Sequence, residues 1–582
     1  MTPDAPLPPP APAAPPRRGD LVLAFLAALV LLASFAGARD LWDADEGRYA
    51  SVALDMARAG DLVTPRENGL RFLDKPPLLY WAEIASSGVL GPTPFAARLP
   101  CVVAGAALAA FAFLFAAAWT GSRRTAFLAA LLLATSGGGM GLSRTVTMDM
   151  PLAACVAGAL YAGWCALARD GWRPRAGLGL ALGLGLLAKG PLALVATAVV
   201  AASWGLVGAS WPRLLRVGVS PLAWTVALLV AAPWYVACEH ANPGYLWHFL
   251  EYEHFRRFRE AGIRDFSPVW IYAATLPLFL VPWTHLLVRA RLPASIEAGC
   301  RKPVRAERFA WAWVLSLLVF YSAGRNRLYT YVLPAFLPLA VLAAARLSDR
   351  LWSPDPRVAR GPARAAAAYG ALALGAGLCL HLRVPFVLGR RFGSVLLPTP
   401  ATEVCVAAAG LPIAVGSLYL VGAPLLFRAF PRPAARAARL VLGAALLFAG
   451  LDVGARQLDD LRSSKRLAGV LVRATGQGTR LVCLDCLPQG LRFYAPLFVE
   501  VAGKQLEIVE PWAGRDGKGI LHTEAELQAL WASRTRVVLI AREKKAQPWL
   551  AKGGRVLASG LAGDRRSDLV VLENRALEPP GR

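Results

Sequence analysis

The chain has 582 residues, of which 56% are hydrophobic and only 17% charged, with a mean hydropathy of +0.46. Soluble chains of this size carry about a quarter charged residues interleaved with apolar faces, so the composition excludes an ordinary soluble enzyme. A net charge of +25 would suggest nucleic acid as a partner for a soluble protein. In a membrane protein, arginines flanking the spans on the cytoplasmic side account for it, and no nucleic-acid partner is expected.

Residues 1–20 are rich in Pro and Ala, end in Arg17-Arg18 and read as a disordered cytoplasmic leader. The apolar run 21–38 closes on Ala36-Gly37-Ala38, which has the small-residue pattern of a signal-peptidase site. Its length favours a retained first span. Apolar runs of roughly 18 residues recur to Leu451 and predict a polytopic α-helical membrane protein. We read about thirteen spans, near residues 21–38, 96–119, 125–141, 150–168, 176–188, 191–208, 217–238, 268–288, 309–323, 329–346, 365–382, 404–427 and 438–454. With the N-terminus inside, every cytoplasmic loop is basic, from Arg123-Arg124 through Arg169, Arg173 and Arg175 to Arg428, Arg432, Arg436 and Arg439. The odd number of spans then places the C-terminal part outside.

Three outer segments are basic as well: residues 43–92, residues 239–267 and the turn Gly324-Arg325-Asn326-Arg327. Arginine there serves no topological purpose and calls for an anion, such as a lipid phosphate. Pairing with acids of the same loop is the alternative for 43–92. Around His254-Phe255-Arg256-Arg257-Phe258-Arg259 cations outnumber acids.

The first outer loop opens with Asp43, Asp45 and Glu46, followed by Arg48 and Tyr49. Carboxylates at a membrane surface are costly unless paired or functional. An acid beside cations is the equipment for moving a proton next to a group that leaves or binds as an anion, such as a phosphate. A helix N-terminus capped by Asp43 or Asp45 is the structural alternative. Residues 51–60 read as an amphipathic helix lying in the interface and stopped by Gly60-Asp61. Asp74 and Lys75 precede Pro76-Pro77, which kinks the start of the next helix.

From Asp452 onward the composition changes. Short β-prone runs at Arg480–Leu484, Leu506–Val509, Arg536–Ala541 and Asp568–Leu572 surround a helical stretch at Thr523–Ala532, predicting a small α/β domain outside the membrane. It shows no glycine-rich phosphate loop. Cys483-x-x-Cys486 lacks the second pair or histidines of a metal site. A local disulfide and two free thiols both remain open. The expected domains are therefore the leader 1–20, a membrane domain 21–454 with outer loops 39–95 and 239–267, and the α/β domain 455–582.

Several motifs carry a family resemblance. They are Asp45-Glu46-Gly47-Arg48-Tyr49-Ala50, Gly60-Asp61-Leu62-Val63-Thr64-Pro65-Arg66, Asp74-Lys75-Pro76-Pro77 and Phe95-Ala96-Ala97-Arg98-Leu99-Pro100. The series continues with Thr147-Met148-Asp149-Met150-Pro151, Leu187-Ala188-Lys189-Gly190-Pro191, Glu253-His254-Phe255-Arg256-Arg257-Phe258 and Asn326-Arg327-Leu328-Tyr329-Thr330-Tyr331. In this order they resemble the superfamily of aminoarabinose transferases and dolichyl-mannose-type protein O-mannosyltransferases, which has the GT-C fold. The match covers about the first 350 residues.

The resemblance implies a glycosyltransferase of a bacterial inner membrane that moves a sugar from a polyprenyl-phosphate carrier to an extracytoplasmic acceptor. A lipid A-like glycolipid, as in aminoarabinose transfer, is the expected acceptor. Protein Ser/Thr hydroxyls are the alternative within enzymes, and a lipid transporter the alternative outside them. Asp45 matches the catalytic acid. Arg48, Tyr49, Lys75, Lys189, Arg259 and Tyr331 match positions that hold the carrier phosphate, with Glu46, Asp149, Arg256, Arg257, Arg325 and Arg327 beside them. Asp74 and His254 are the candidate ligands of a divalent cation, the one cofactor in question, with an acid–histidine hydrogen bond as the alternative. Gly47 stands where the family pattern has proline, Ser51 and Asp74 where it has glutamate, and Tyr329 where it has proline.

Overall fold

The computed structural model describes residues 17–256, 268–287, 306–353, 432–503, 521–561 and 568–574, with Arg259 and a few residues between 367 and 378. α1 (Arg18–Ala33) is followed by two helices of the first loop, α2 (Asp45–Ala59) and α3 (Leu78–Leu90). Then come α4 (Pro94–Thr120), α5 (Arg123–Ala134), α6 (Gly137–Ser143), α7 (Asp149–Ala168), α8 (Trp172–Lys189) and α9 (Leu192–Leu206). Further helices occupy Pro221–Ala241, Ile271–Phe279, Ala306–Ala323, Phe336–Leu351 and Pro433–Ala455. Among the described residues five helices are long and apolar enough to cross a membrane, and α5 with α6, bent by 53°, makes a sixth. The expected spans 365–382 and 404–427 lie wholly or largely outside the described residues.

The boundaries shift where polar contacts intervene. α1 begins at Arg18, inside the expected leader, because Asp20 accepts a hydrogen bond from the Arg17 amide at 2.8 Å and grips Arg123 at 2.7 and 2.6 Å. α8 is rich in glycine yet continuous. A Cβ on Gly179 would fall 2.2 Å from the Ala223 carbonyl oxygen, and one on Gly183 would fall 2.7 Å from the Val230 Cβ. The two glycines, four residues apart, let helix Pro221–Ala241 approach α8 backbone to backbone, as small-residue motifs do in membranes.

The bundle is apolar inside and outside. Trp119, Trp164, Trp204 and Trp313 interlock edge to face with Phe115 and Phe309, for example Trp164–Trp204 at 5.6 Å and Phe115–Trp313 at 5.3 Å between centroids. On the surface Val30, Leu206 and Leu229 are 69%, 80% and 71% exposed. A lipid environment removes the cost that water would impose on such side chains.

α2 differs from the helix expected at 51–60. It starts at Asp45, with Ala44 as an N-cap that makes no side-chain bond, and ends at Gly60 in the left-handed conformation (φ 65°). Asp45 and Glu46 in the first turn suit the positive end of the helix dipole. Its polar face is buried against protein and does not lie in the interface.

Glu46 ties this helix to the bundle. Its carboxylate accepts hydrogen bonds from Arg98 at 2.8 and 3.1 Å, from Arg39, and from the Trp42 and Val146 amides at 3.2 and 3.1 Å. Arg98 is fully buried and spends its other protons on the carbonyls of Ala36, Arg39 and Asp40. Burial alone would raise the Glu46 pKa, but Arg39 and Arg98 outweigh it and hold the carboxyl at about 2.

The C-terminal part is a six-stranded sheet in the order β5-β4-β3-β6-β8-β7. β3 (Arg480–Leu484), β4 (Glu500–Ala502), β5 (Leu521–His522) and β6 (Val537–Arg542) run parallel. β7 (Arg555–Leu561) and β8 (Leu569–Glu573) pair antiparallel, and β8 also pairs antiparallel with β6. The run Val537–Ala541 is wholly buried, as a strand covered on both faces requires. Of the sequence-derived strands, Leu506–Val509 lies outside the described residues. The first loop adds a two-stranded hairpin, β1 (Arg66–Glu67) with β2 (Leu70–Arg71).

This sheet unit docks on the first loop. Asn68 exchanges two hydrogen bonds with the Val499 backbone, at 2.6 and 3.1 Å. Asp459 accepts from the Asp40 amide and the Trp42 indole, and the Tyr494 hydroxyl accepts from the Leu41 amide. Asp43 is buried at the seam, bonded to Ser464 with the Gly490 backbone against its other oxygen. Burial raises its carboxyl to about 7, against the opposing Ser464 and Gly490 contacts; Glu67 raises it further and Arg48 lowers it.

Two expectations follow. Glu46→Ala leaves two buried guanidiniums without a counter-charge, a loss of roughly 3–5 kcal/mol, and should appear as a large fall in the thermal midpoint of detergent-solubilised protein. Asp43 holds its proton more tightly folded than unfolded, so its contribution is complete below about pH 4 and is lost as pH rises through about 7. The thermal midpoint of the native chain should fall across that window more than that of Asp43→Asn; parallel curves would refute the assignment.

Candidate active site

α2 presents Asp45 at its first turn with the side chain exposed and, among the described residues, without a hydrogen bond or ion pair. Its charge bears on Arg48, Tyr49, Lys189 and Tyr329. Tyr49, one helical turn on, is half-buried with its ring 6.2 Å from that of Tyr80.

Facing this acid are the ends of two bundle helices. Lys189, the last residue of α8, pairs with Asp149, the first of α7, and lies 4.5 Å over the Tyr331 ring. Thr147 donates to Asp149 at 3.2 Å and Thr330 bonds to it as well. Lys75 pairs with Glu253 at 3.2 Å and stands close enough for its charge to act on Lys189 and His254. The result is an exposed, unpaired carboxylate across from an ammonium–aromatic cluster at the helix ends. A phosphate can lie on such cations while a hydroxyl reaches the acid.

Other sequence-derived residues stand elsewhere. Glu46 is the clamp described above, its oxygens fully engaged by arginines and amides. Arg48 is held by other groups: it donates to Glu67 at 3.3 Å and, with the Gln489 amide oriented to satisfy both partners, to the Gln489 side-chain oxygen. Burial raises the Glu67 carboxyl although Arg48 opposes it. Arg256 lies 5.1 Å over the Tyr252 ring, and Arg327 donates to the Ser322 carbonyl at 3.2 Å. Arg259 and Arg325 are exposed, and Arg257 is outside the described residues.

Asp74 and His254 fit a resident metal poorly. The His254 Nδ1 stands 2.8 Å from the Phe249 carbonyl oxygen and Nε2 stands 3.5 Å from that of Lys189. Burial, reinforced by Lys75 and Lys189, keeps its pKa below the usual value. Among the described residues no three of His, Cys, Asp or Glu converge as a metal site. No step below uses a metal.

Sequence reasoning missed Arg98, Arg39 and the residues contributed by the sheet unit. Arg98 left a readable signal, a lone arginine at the start of an apolar helix, and such charges are paired or functional. The same signal marks Arg144 in the bend after α6, which pairs with Asp452 of helix Pro433–Ala455.

Residues 74–236 match the family model of dolichyl-phosphate-mannose-protein mannosyltransferases. An undecaprenyl phosphate-α-4-amino-4-deoxy-L-arabinose arabinosyl transferase of Pseudomonas paraeruginosa is 36% identical over 349 residues, 59% of this chain and 62% of the relative. The enzyme of the same description from Aeromonas salmonicida is 34% identical over 54% of this chain and 57% of its own length. The chain thus matches less than two thirds of the length of these relatives. In structure, ArnT from Cupriavidus metallidurans, solved with undecaprenyl phosphate, superposes with a TM-score of 0.78 at 21% identity, covering 97% of this chain and 100% of the other. The chain has the GT-C membrane fold of ArnT, and its sequence is similar in part to dolichyl-phosphate-mannose-protein mannosyltransferases and to aminoarabinose transferases.

Proposed function

We propose that the chain is an integral-membrane glycosyltransferase that moves a sugar from a polyprenyl-phosphate carrier to a lipid A-like acceptor at the outer face of a bacterial inner membrane. The observation that carries this reading is the exposed, unpaired Asp45 across from Lys189, Tyr331 and Lys75. The long relatives named above support aminoarabinose as the sugar.

The step is a direct displacement. The acceptor oxygen attacks the anomeric carbon, the bond from that carbon to the carrier phosphate breaks, and the phosphate leaves with the electron pair. Lys189 and Lys75 stabilise the charge that gathers on it. Asp45 takes the acceptor's proton, or orients the acceptor when it is an already ionised phosphate. Arg48 contributes indirectly, by tying α2 to Glu67.

The topology belongs to the same proposal: about thirteen spans, an inner N-terminus, and the leader, membrane and α/β domains divided as the sequence suggests. The sheet unit rests on residues 40–68, which supports placing it on the same side as Asp45. The outer side follows from the arginine pattern.

The test is purified full-length protein in lipid with polyprenyl-phosphate sugars and a lipid A acceptor, with released carrier phosphate followed by mass spectrometry. Asp45→Asn should slow release on the order of 10²–10⁴-fold while carrier binding stays unchanged. Release at the native rate in that variant would overturn the role of Asp45. No turnover with any donor would favour a transporter, and turnover with peptide Ser/Thr acceptors alone would favour the mannosyltransferase-like alternative.

A further inference from the structure

The helix that carries Asp45 is held from behind. Asp43, just ahead of α2, and Gly47, Ser51 and Asp55 within it recur every fourth residue, the spacing of a single helical face. Each of the four meets the C-terminal sheet unit. Asp43 bonds to Ser464 through its side chain and donates from its amide to the Arg462 carbonyl at 2.8 Å. Gly47 lies against Gly490 so closely that a Cβ on it would fall 2.7 Å from the Gly490 Cα and 2.0 Å from Asp43 Oδ1. Ser51 donates to the Gln489 carbonyl at 2.9 Å.

Asp55 receives the strongest contact. Arg492 donates to it through Nε and Nη2, both at 2.6 Å, a fork geometry that fixes direction as well as distance. Both side chains are buried, and the Arg492 guanidinium stacks on the Phe498 ring at 3.6 Å. The Arg492 carbonyl accepts from Arg58, one turn after Asp55 is reached, at 3.0 Å. A buried bidentate pair of this kind resists small rotations in a way a surface ion pair does not.

Two residues along a helix turn the side chain by about 200°, so Asp45 faces away from Gly47; the stripe winds by about 40° per step, which brings Asp55 to a flank about 80° from Asp45. The sheet unit therefore grips the helix along its back and one flank, on faces other than the one that carries the acid. Asp45 and Asp55 are ten residues apart, about 15 Å along the axis, so a tilt of about 4° at the Arg492 end displaces Asp45 by about 1 Å. A misplacement of that size costs on the order of 10²-fold in rate.

We propose that Arg492, acting through Asp55, is a positioning residue for Asp45, and that the C-terminal unit serves the reaction by orienting α2. This rests on Asp45 being the acid of the transfer reaction proposed above.

The experiment uses the full chain in lipid, with Arg492→Ala, Arg492→Lys, and the exchanged pair Asp55→Arg with Arg492→Asp. Two readouts are taken: steady-state kinetics of carrier-phosphate release, and hydrogen exchange of the amides of residues 45–50. Arg492→Ala should lower kcat on the order of 10–100-fold with KM for the carrier changed by less than about 3-fold, and exchange should rise locally at 45–50. Arg492→Lys, which keeps the charge and loses the fork, should fall between, and serves if the alanine variant does not fold. The exchanged pair should recover part of kcat. Native kcat per folded molecule with unaltered exchange in the Ala or Lys variant would overturn the proposal, as would activity loss that only follows loss of folded protein. If the native chain turns over no donor, the transferase reading fails by itself. Exchange then judges the contact: no rise at 45–50 overturns the grip on α2.

Discussion

The pairing of Glu46 with Arg39 and Arg98 is the interaction on which the first loop depends. Adjacent residues at a helix start point about 100° apart, so Asp45 and Glu46 meet different surroundings. Glu46 turns into protein and is closed off by two guanidiniums and two amides. Taking these charges out of water costs several kcal/mol per ion unless each is matched, and here the match fixes where α2 begins relative to the bundle. Asp45 is then left facing the helix ends with its carboxylate unspent.

The same division runs through the neighbouring charges. Arg48 with Glu67, Arg492 with Asp55 and Arg144 with Asp452 are committed to holding segments together. Lys189 is different, because its partner Asp149 also takes hydrogen bonds from two threonines. In the proposed transfer an arriving phosphate would share the ammonium while those hydroxyls continue to satisfy the carboxylate. That exchange substitutes one anion for another at a cation already desolvated, which keeps its cost low.

The sequence made the bundle legible because a span is a local property: some 18 apolar residues with arginine at one end. It was less informative about α2. Residues 45–50 carry too many charges to read as the start of an apolar-faced helix, so the helix was expected six residues late and in the interface. Its hydrophobic side packs against Phe72, Tyr80 and Val146, and its buried polar residues Ser51 and Asp55 are met by residues more than 400 positions away. The three acids of the loop looked equivalent by composition, and only the resemblance singled out Asp45. The structure sorts them by surroundings: Asp43 into the domain seam, Glu46 into the clamp, Asp45 into the open. Arg48 was expected at the phosphate from the resemblance alone; its partners, Glu67 and Gln489, are 19 and 441 positions away, and no pattern in the chain joins them.

Two departures from the family pattern, Gly47 for proline and Ser51 for glutamate, fall on the stripe that meets the sheet unit, whereas Asp45 and Tyr49 on the opposite face follow the pattern. Sterics account for the first. Gly490 leaves no space for any Cβ at position 47, so a proline ring there would push the unit off the helix. Ser51 reaches the Gln489 carbonyl with a hydroxyl that can donate, which an ionised glutamate cannot. Resemblance in sequence fades near residue 350, while the superposition on ArnT covers 97% of the chain. Gly47 and Ser51 thus fit the contour of this chain's own C-terminal unit, on faces of the helix turned from Asp45.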